Sequence, residues 1–389
     1  MHHRMPHWAF CMEVCERGNV MKRKYYSISN IKKLQALYNL IFGERSNGKT
    51  FSCLEEVLTN YHERRKQGAY IRRWDEDIIS KRMSVLFDGH ANAGVISRIF
   101  AKDGEWTNVY YYSGKFFLCK YDEDGKRIVD ETPFMYAFSL SAMEHDKSTS
   151  FPNVVCCIYD EMLTRGMYIN NEFVIFMNVL STIIRDRTDV VIYLLGNTVN
   201  KYCPYFDEFG IGKYITKMKP GDIELCKFGD TGCTMAIEYA DSPSKNGKPS
   251  DIYFAFDNPH LRMITNGAWE TAMYPHLMMK YRPSDVVLHY FIQFQDAILH
   301  CEVVVTDEAK FTYIHEKTTE IKNPNDDLIF GFDDSPLPNH RRNITKPFDR
   351  TGKAIFDFFN QSLVYYQNND IGEVVRNYLL ACRNDSIIK

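Results

Sequence analysis

The segment Gly43-Glu44-Arg45-Ser46-Asn47-Gly48-Lys49-Thr50 matches the spacing G-x-x-x-x-G-K-[ST] without deviation. Glycines at these points let consecutive backbone N–H groups wrap phosphate oxygens, while the lysine reaches the outer phosphates and the hydroxyl serves Mg²⁺. Gly43, Arg45, Asn47, Gly48, Lys49 and Thr50 are therefore the candidate nucleotide-binding residues. A second acidic motif belongs with such a loop. Asp160 follows the apolar run Val154–Tyr159, where an acid close to Mg²⁺ is expected, so Thr50 and Asp160 are the candidate metal-holding pair. Glu161 beside it can polarise a water for in-line attack on a γ-phosphate, which points to ATP hydrolysis rather than to a kinase or a GTPase switch. Two carboxylates capping the following helix would be the plainer account.

Other polar groups stand near this pattern. Asn197 sits at the tip of the apolar run 190–195 and could hydrogen-bond the attacking water or the γ-phosphate; a turn-forming asparagine is the alternative. Arg185 and Arg187 end the helical stretch before that run, and Lys147 lies in the polar loop before FPNVV, ahead of the strand that ends at Asp160. Cations there could complete a neighbouring subunit's site, or serve only as helix-end and solvated charges. Arg72 and Arg73 fit phosphate sensing, DNA contact or structural pairing equally well.

The elements that must position these residues follow from hydrophobic patterning. Residues 38–42 read as a strand, the glycine loop follows, and 51–66 suit a helix. Strands are expected at 69–73, 136–140, 154–159 and 190–195, with a hairpin over 107–120 turned at Ser113-Gly114 and a helix over 171–186. Alternating strands and helices call for a largely parallel sheet with helices on both faces, an α/β fold of the P-loop NTPase class. Beyond residue 236 the pattern changes. The run 241–251 is rich in Ser, Pro, Gly and Lys, as a linker is, and strands at 286–294, 297–306 and 310–318 precede helices near 351–367 and 371–383. That second part reads as a small α+β domain.

Composition narrows the classes. With 389 residues, 45% hydrophobic and 25% charged, the chain is globular and long enough for two or three cores. A net charge of −3 excludes a surface that is basic throughout, so any polyanion contact is local. Eleven cysteines without a CxxC pair fit neither a disulfide framework nor a ribbon-type zinc site. No apolar run reaches the ~18 residues of a membrane span. His2, His3, His7, Cys11 and Cys15 could in principle hold a metal, but read more simply as a polar terminus.

Taken in order, the segments YNLIFGERSNGKT, AYIRR, FSLSAMEHDKSTSFPNVVCCIYDE and NVLSTIIRDRTDVVIYLLGNTVNKYCPYF resemble the DNA-packaging ATPases of small protein-primed podophages, a branch of the ring-forming additional-strand P-loop ATPases. The likeness covers about residues 21–206; beyond the P-loop, KSTSFPNV is its most specific element. It implies that Lys49 and Thr50 bind phosphate and Mg²⁺, that Asp160 holds the metal and that Glu161 is the catalytic glutamate. It further implies Lys147 or Arg185 acting in trans and Asn197 as sensor. The implied assembly is a homo-oligomeric ring, a pentamer, on the portal (connector) of a prohead in the bacterial host cytoplasm. There it would drive double-stranded DNA inward with ATP, with a structural RNA as a further partner and no membrane. A helicase- or loader-like ATPase without a capsid, and a non-hydrolysing nucleotide-gated assembly module, are the alternatives.

The expected division is an extension at 1–20, a P-loop ATPase domain at 21–236, a linker at 237–283 and a C-terminal domain at 284–389. Residues 1–20 precede the point where such proteins begin, so they should be dispensable for DNA-stimulated ATPase activity. Large terminases carry an RNase H-like nuclease after the ATPase, whose metals need an Asp in the first core strand. Here 286–294 contains no acid, and Asp296, Glu302, Asp307 and Glu308 form no recognisable cluster. The expectation is an RNase H-like scaffold without nuclease residues. Lys213, Lys217 and Lys219, with His340, Arg341, Arg342, Lys346, Arg350 and Lys353, are the candidate DNA contacts or simply solvated basic faces.

Overall fold

In a computed structural model of the chain, residues 25–142, 150–185, 187–241, 269, 272–332, 337–347 and 349–385 are described; Lys147 and residues 1–20 lie outside them. Two units form, Met1–Trp269 and Glu270–Lys389.

The first unit is built on one sheet. Its strands are β1 (Tyr38–Gly43), β2 (Gln67–Arg72), β3 (Asn108–Tyr112), β4 (Lys115–Tyr121), β5 (Arg127–Val129), β6 (Met135–Ser139), β7 (Val154–Tyr159), β8 (Val191–Asn197), β9 (Ile223–Phe228) and β10 (Cys233–Ala240). They lie in the order β3-β4-β6-β2-β7-β8-β1-β10-β9, with β5 beside β4. The central run from β6 to β10 is parallel, while β4 and β9 join it antiparallel.

β1 and β7 are buried at every position, the pattern of strands covered on both faces. Leu40 and Phe42 enter one core and Ile41 the other. Helix α1 (Lys49–Arg64) seals the second core with Cys53, Leu54, Val57, Leu58 and Tyr61, spaced as one helical face. Helix α2 (Glu172–Ile184) seals the first with Phe176, Val179, Leu180 and Ile183. The domain end expected at 236 falls inside β10, which continues to Ala240 because it pairs with β1 along its length.

The second unit carries β11 (Val286–Phe294), β12 (Ala297–Val305), β13 (Lys310–Glu316), β14 (Ile329–Gly331), β15 (His340–Arg341), helix α3 (Arg350–Asn360), β16 (Val364–Tyr366) and helix α4 (Asn369–Asp385). The order is β15-β14-β11-β12-β13-β16. β11, β12 and β13 form an antiparallel meander, with β14 parallel to β11 and β16 parallel to β13. The helix expected over 351–367 stops at Asn360. Ser362 turns the chain at φ 57°, and Val364–Tyr366, β-branched and aromatic, add a strand to β13.

Candidate nucleotide site

Parallel strands bring their carboxyl ends to one edge, and register aligns the polar residues there. Gly43, last in β1, lies opposite Asn197 on β8 and Ala240 on β10. A Cβ on Gly43 would meet the Ala240 carbonyl oxygen at 2.6 Å, so the close approach of β1 and β10 requires glycine. Gly48 takes φ 101° and opens α1, turning the loop back over the strand ends. Tyr26 N–H donates to the Asn47 carbonyl (2.9 Å), so the residues before β1 brace this loop.

The loop surrounds a polar cleft of about 320 Å³, lined among others by Arg45, Asn47, Thr50, Asp160, Glu161 and Asn197. The Lys49 ammonium is buried in it and donates to the carbonyl oxygens of Glu44 (2.7 Å) and Gly43 (3.4 Å), to Asn47 Oδ1 (3.2 Å) and to Asn197 Oδ1 (3.3 Å). Burial pushes Lys49 down to about 8, partly offset by the Asp160 and Glu44 carboxylates. Thr50 Oγ1 stands 3.2 Å from each oxygen of Asp160. A divalent cation fits this donor set, one hydroxyl and one carboxylate beside a phosphate loop. The buried Asn47 Nδ2 has no protein hydrogen-bond partner and is free to meet a phosphate oxygen.

Two neighbours on β2 extend the site. Tyr70 OH donates to Asp160 Oδ2 at 2.9 Å, and Arg72 holds Glu161 Oε2 at 2.6 Å while also reaching Tyr70 OH at 3.4 Å. Glu161 occupies the left-handed region at φ 57°, costly for a residue with a Cβ. The next arginine fixes that peptide. Arg73, 5% exposed, donates to the carbonyls of Glu161 (3.2 Å) and Met162 (2.7 Å) and to Glu172 Oε2 (2.8 Å). Glu172 in turn accepts from Tyr159 OH (2.6 Å) and Tyr205 OH (3.0 Å). Arg72 and Arg73 thus divide the work, one on the side chain of Glu161 and one on its backbone.

Of the residues named from the sequence, Arg45, Asn47, Gly48, Lys49, Thr50, Asp160, Glu161 and Asn197 line this cleft, and Gly43 lies opposite Asn197 beside it. Arg185 does not join them. It is exposed and follows α2, which runs from the site edge to the opposite edge of the sheet. Arg187 clasps the carbonyls of Phe151 and Pro152 (3.3 and 3.2 Å), a structural post. Tyr70 and Glu172 are the residues that sequence reasoning missed.

Residues 115–219 match the family described as podovirus DNA encapsidation protein (Gp16). Over that stretch the chain is similar to these encapsidation proteins. The matched stretch holds Asp160, Glu161 and Asn197 but not the glycine loop, which the sequence supplies independently. The DNA packaging protein of Bacillus phage B103 is 25% identical over 190 residues, 46% of this chain and 50% of that protein. That of Bacillus phage phi29 is 23% identical over 199 residues, 50% and 53% of the two chains. The chain thus spans about half the length of the curated relatives it matches. Among solved structures, a chain of the bacteriophage phi29 viral genome packaging motor assembly superposes with a TM-score of 0.55 at 18% identity, covering 93% of this chain and 99% of that one. This likeness is one of fold: a P-loop α/β unit followed by a smaller sheet unit. Among the described residues no helix is long and apolar enough to cross a membrane.

Proposed function

We propose that this chain is an ATPase that drives double-stranded viral DNA into a prohead. The observation that carries the reading is the convergence of Lys49, Thr50, Asp160, Glu161 and Asn197 in one cleft at the carboxyl edge of a parallel sheet. The relatives' names, DNA packaging proteins, supply the substrate class.

In this reading the backbone N–H groups of 43–49 cradle the ATP phosphates and Lys49 exchanges its carbonyl and amide contacts for phosphate oxygens. Thr50 and Asp160 would hold Mg²⁺, which when bound would supply charge neutralisation at the phosphates. Asn197, already within 3.3 Å of Lys49 Nζ, lies where a γ-phosphate oxygen or the attacking water can be bound. Glu161 orients that water and takes its proton, Asp160 being committed to the metal. The chain works as a ring on the portal vertex, each neighbour supplying Arg185 or Lys147 against developing charge. A near-neutral chain suits a motor that must let DNA go each cycle, with exposed Lys213, Lys217 and Lys219 giving weak phosphate contacts.

Glu161→Gln decides the assignment. The variant should bind ATP as the wild type does and lose prohead-stimulated phosphate release by at least a hundredfold. Wild-type turnover in that variant would overturn the catalytic role.

A further inference from the structure

The meander of the second unit has two unlike faces. Tyr290, Ile292, Leu299, Cys301 and Ile314 point into its core. The alternate residues put three histidines and one glutamate together on the other face. His289 on β11 lies opposite Glu302 on β12, and His300 on β12 opposite His315 on β13. His289 Nδ1 is 2.9 Å from His300 Nε2 and 3.9 Å from Glu302 Oε1. His315 Nε2 stands 3.8 Å from Glu302 Oε2. One ligand atom from each of His289, His300 and Glu302 fits within a 4.8 Å span.

The groups behind these atoms hold them in place. His315 turns Nδ1 to the Glu316 carbonyl at 3.1 Å, which leaves Nε2 facing Glu302 with its lone pair. Tyr281 OH donates to Glu302 Oε2, the carboxylate hydrogen bond typical behind a metal ligand. Phe291 stacks on His300 with centroids 5.0 Å apart, and Tyr313 on His315 at 5.6 Å, so two of the ring planes are set. Ligands about 2.0–2.1 Å from a tetrahedral ion lie roughly 3.3 Å from one another. The separations among His289, His300 and Glu302, from 2.9 Å to at most 4.8 Å, bracket that value; His315, 3.8 Å from Glu302 but outside that group, completes the set by a small change of rotamer.

We propose that His289, His300 and Glu302, with His315 as fourth ligand, form a zinc-class transition-metal site that clamps β11, β12 and β13 together. Three imidazoles and one carboxylate suit zinc or cobalt and are unlike the all-oxygen sets that select Mg²⁺. Four protein ligands leave no open position, so the role is structural and hydrolysis is not its business. This site is independent of the nucleotide cleft and stands or falls without it.

The test uses the full chain, stripped with chelator and titrated with Co²⁺ in the absence of nucleotide. One equivalent should bind with the visible bands of a tetrahedral centre and without thiolate charge transfer, which separates it from any ion on Cys11 or Cys15. Zn²⁺ should displace it and raise the melting temperature. The double variant His289→Ala, His300→Ala, checked for folding by circular dichroism, should lose that equivalent and its bands; retention of both overturns the site. Should the double variant misfold, His289→Gln alone decides. His289 is exposed, so an affinity unchanged from wild type refutes the proposal, and a loss of tenfold or more supports it.

Discussion

Lys49 shows how a single buried charge ties this site to pH. Its ammonium is held by carbonyl and amide oxygens alone, and burial lowers it to about 8 from the ordinary lysine value. Phosphate oxygens favour the ammonium form, so nucleotide raises this value again. Below about pH 8 the lysine is already charged and binding moves no proton; between about 8 and the ordinary value, binding must take one up. Affinity for a non-hydrolysable ATP analogue should therefore fall as pH rises through about 8. Isothermal titration in buffers of different protonation enthalpy should show proton uptake at pH 8.5 but little at pH 6.5, and none at either pH in Lys49→Ala. Equal heats in both buffers at pH 8.5 would refute this coupling.

Among the elements, β2 and α2 do the most to shape the cleft without binding anything themselves. Removing one partner of the buried Arg73–Glu172 pair strands the other charge, so Arg73→Met should destabilise the first unit by about 3–5 kcal/mol in urea unfolding. It should also depress turnover, because the carbonyls of Glu161 and Met162 lose their donor. Arg72→Met removes ion pairs to Glu161, whose side chain is 58% exposed, and to Asp77, which keeps Arg82 as a partner, so it should cost about 1 kcal/mol, well short of the loss of Arg73. Equal losses for the two variants would contradict the division of roles. The contrast also marks what the sequence could and could not reveal. The glycine loop, Asp160, Glu161 and Asn197 were legible because each closes a local apolar run whose end is the carboxyl edge of a strand. Arg72 and Arg73 stayed ambiguous because their meaning depends on β2 lying beside β7, and no local pattern states which strands become neighbours. Glu172 looked like an ordinary acid at a helix start, and its partners Tyr159 and Tyr205 lie 13 and 33 residues away. Val364–Tyr366 fall within the stretch expected to be helical, because three residues carry too little period-two pattern to mark the strand β16. The histidine cluster was hidden in the same way, four residues dispersed over three strands.

At the scale of the whole molecule, the placement of Arg185 carries the consequence. It is exposed at the edge of the sheet opposite the nucleotide cleft, so a role in phosphoryl transfer requires a second copy of the chain. Mixing Arg185→Ala subunits with Glu161→Gln subunits, each inactive alone, should restore part of the prohead-stimulated ATPase, since some interfaces then pair an intact arginine with an intact glutamate. Absence of activity at every mixing ratio would place Arg185 outside the neighbour's site. Finally, Trp269 stacks on Phe42 at 5.4 Å and faces Tyr239 at 6.4 Å, one on the strand that enters the glycine loop and the other on the strand paired with it. An indole so placed makes the protein its own optical probe: its emission should change when ATP analogue settles into the cleft, and stay constant in Lys49→Ala. Stopped-flow fluorescence could then time nucleotide arrival apart from bond cleavage, with no dye attached.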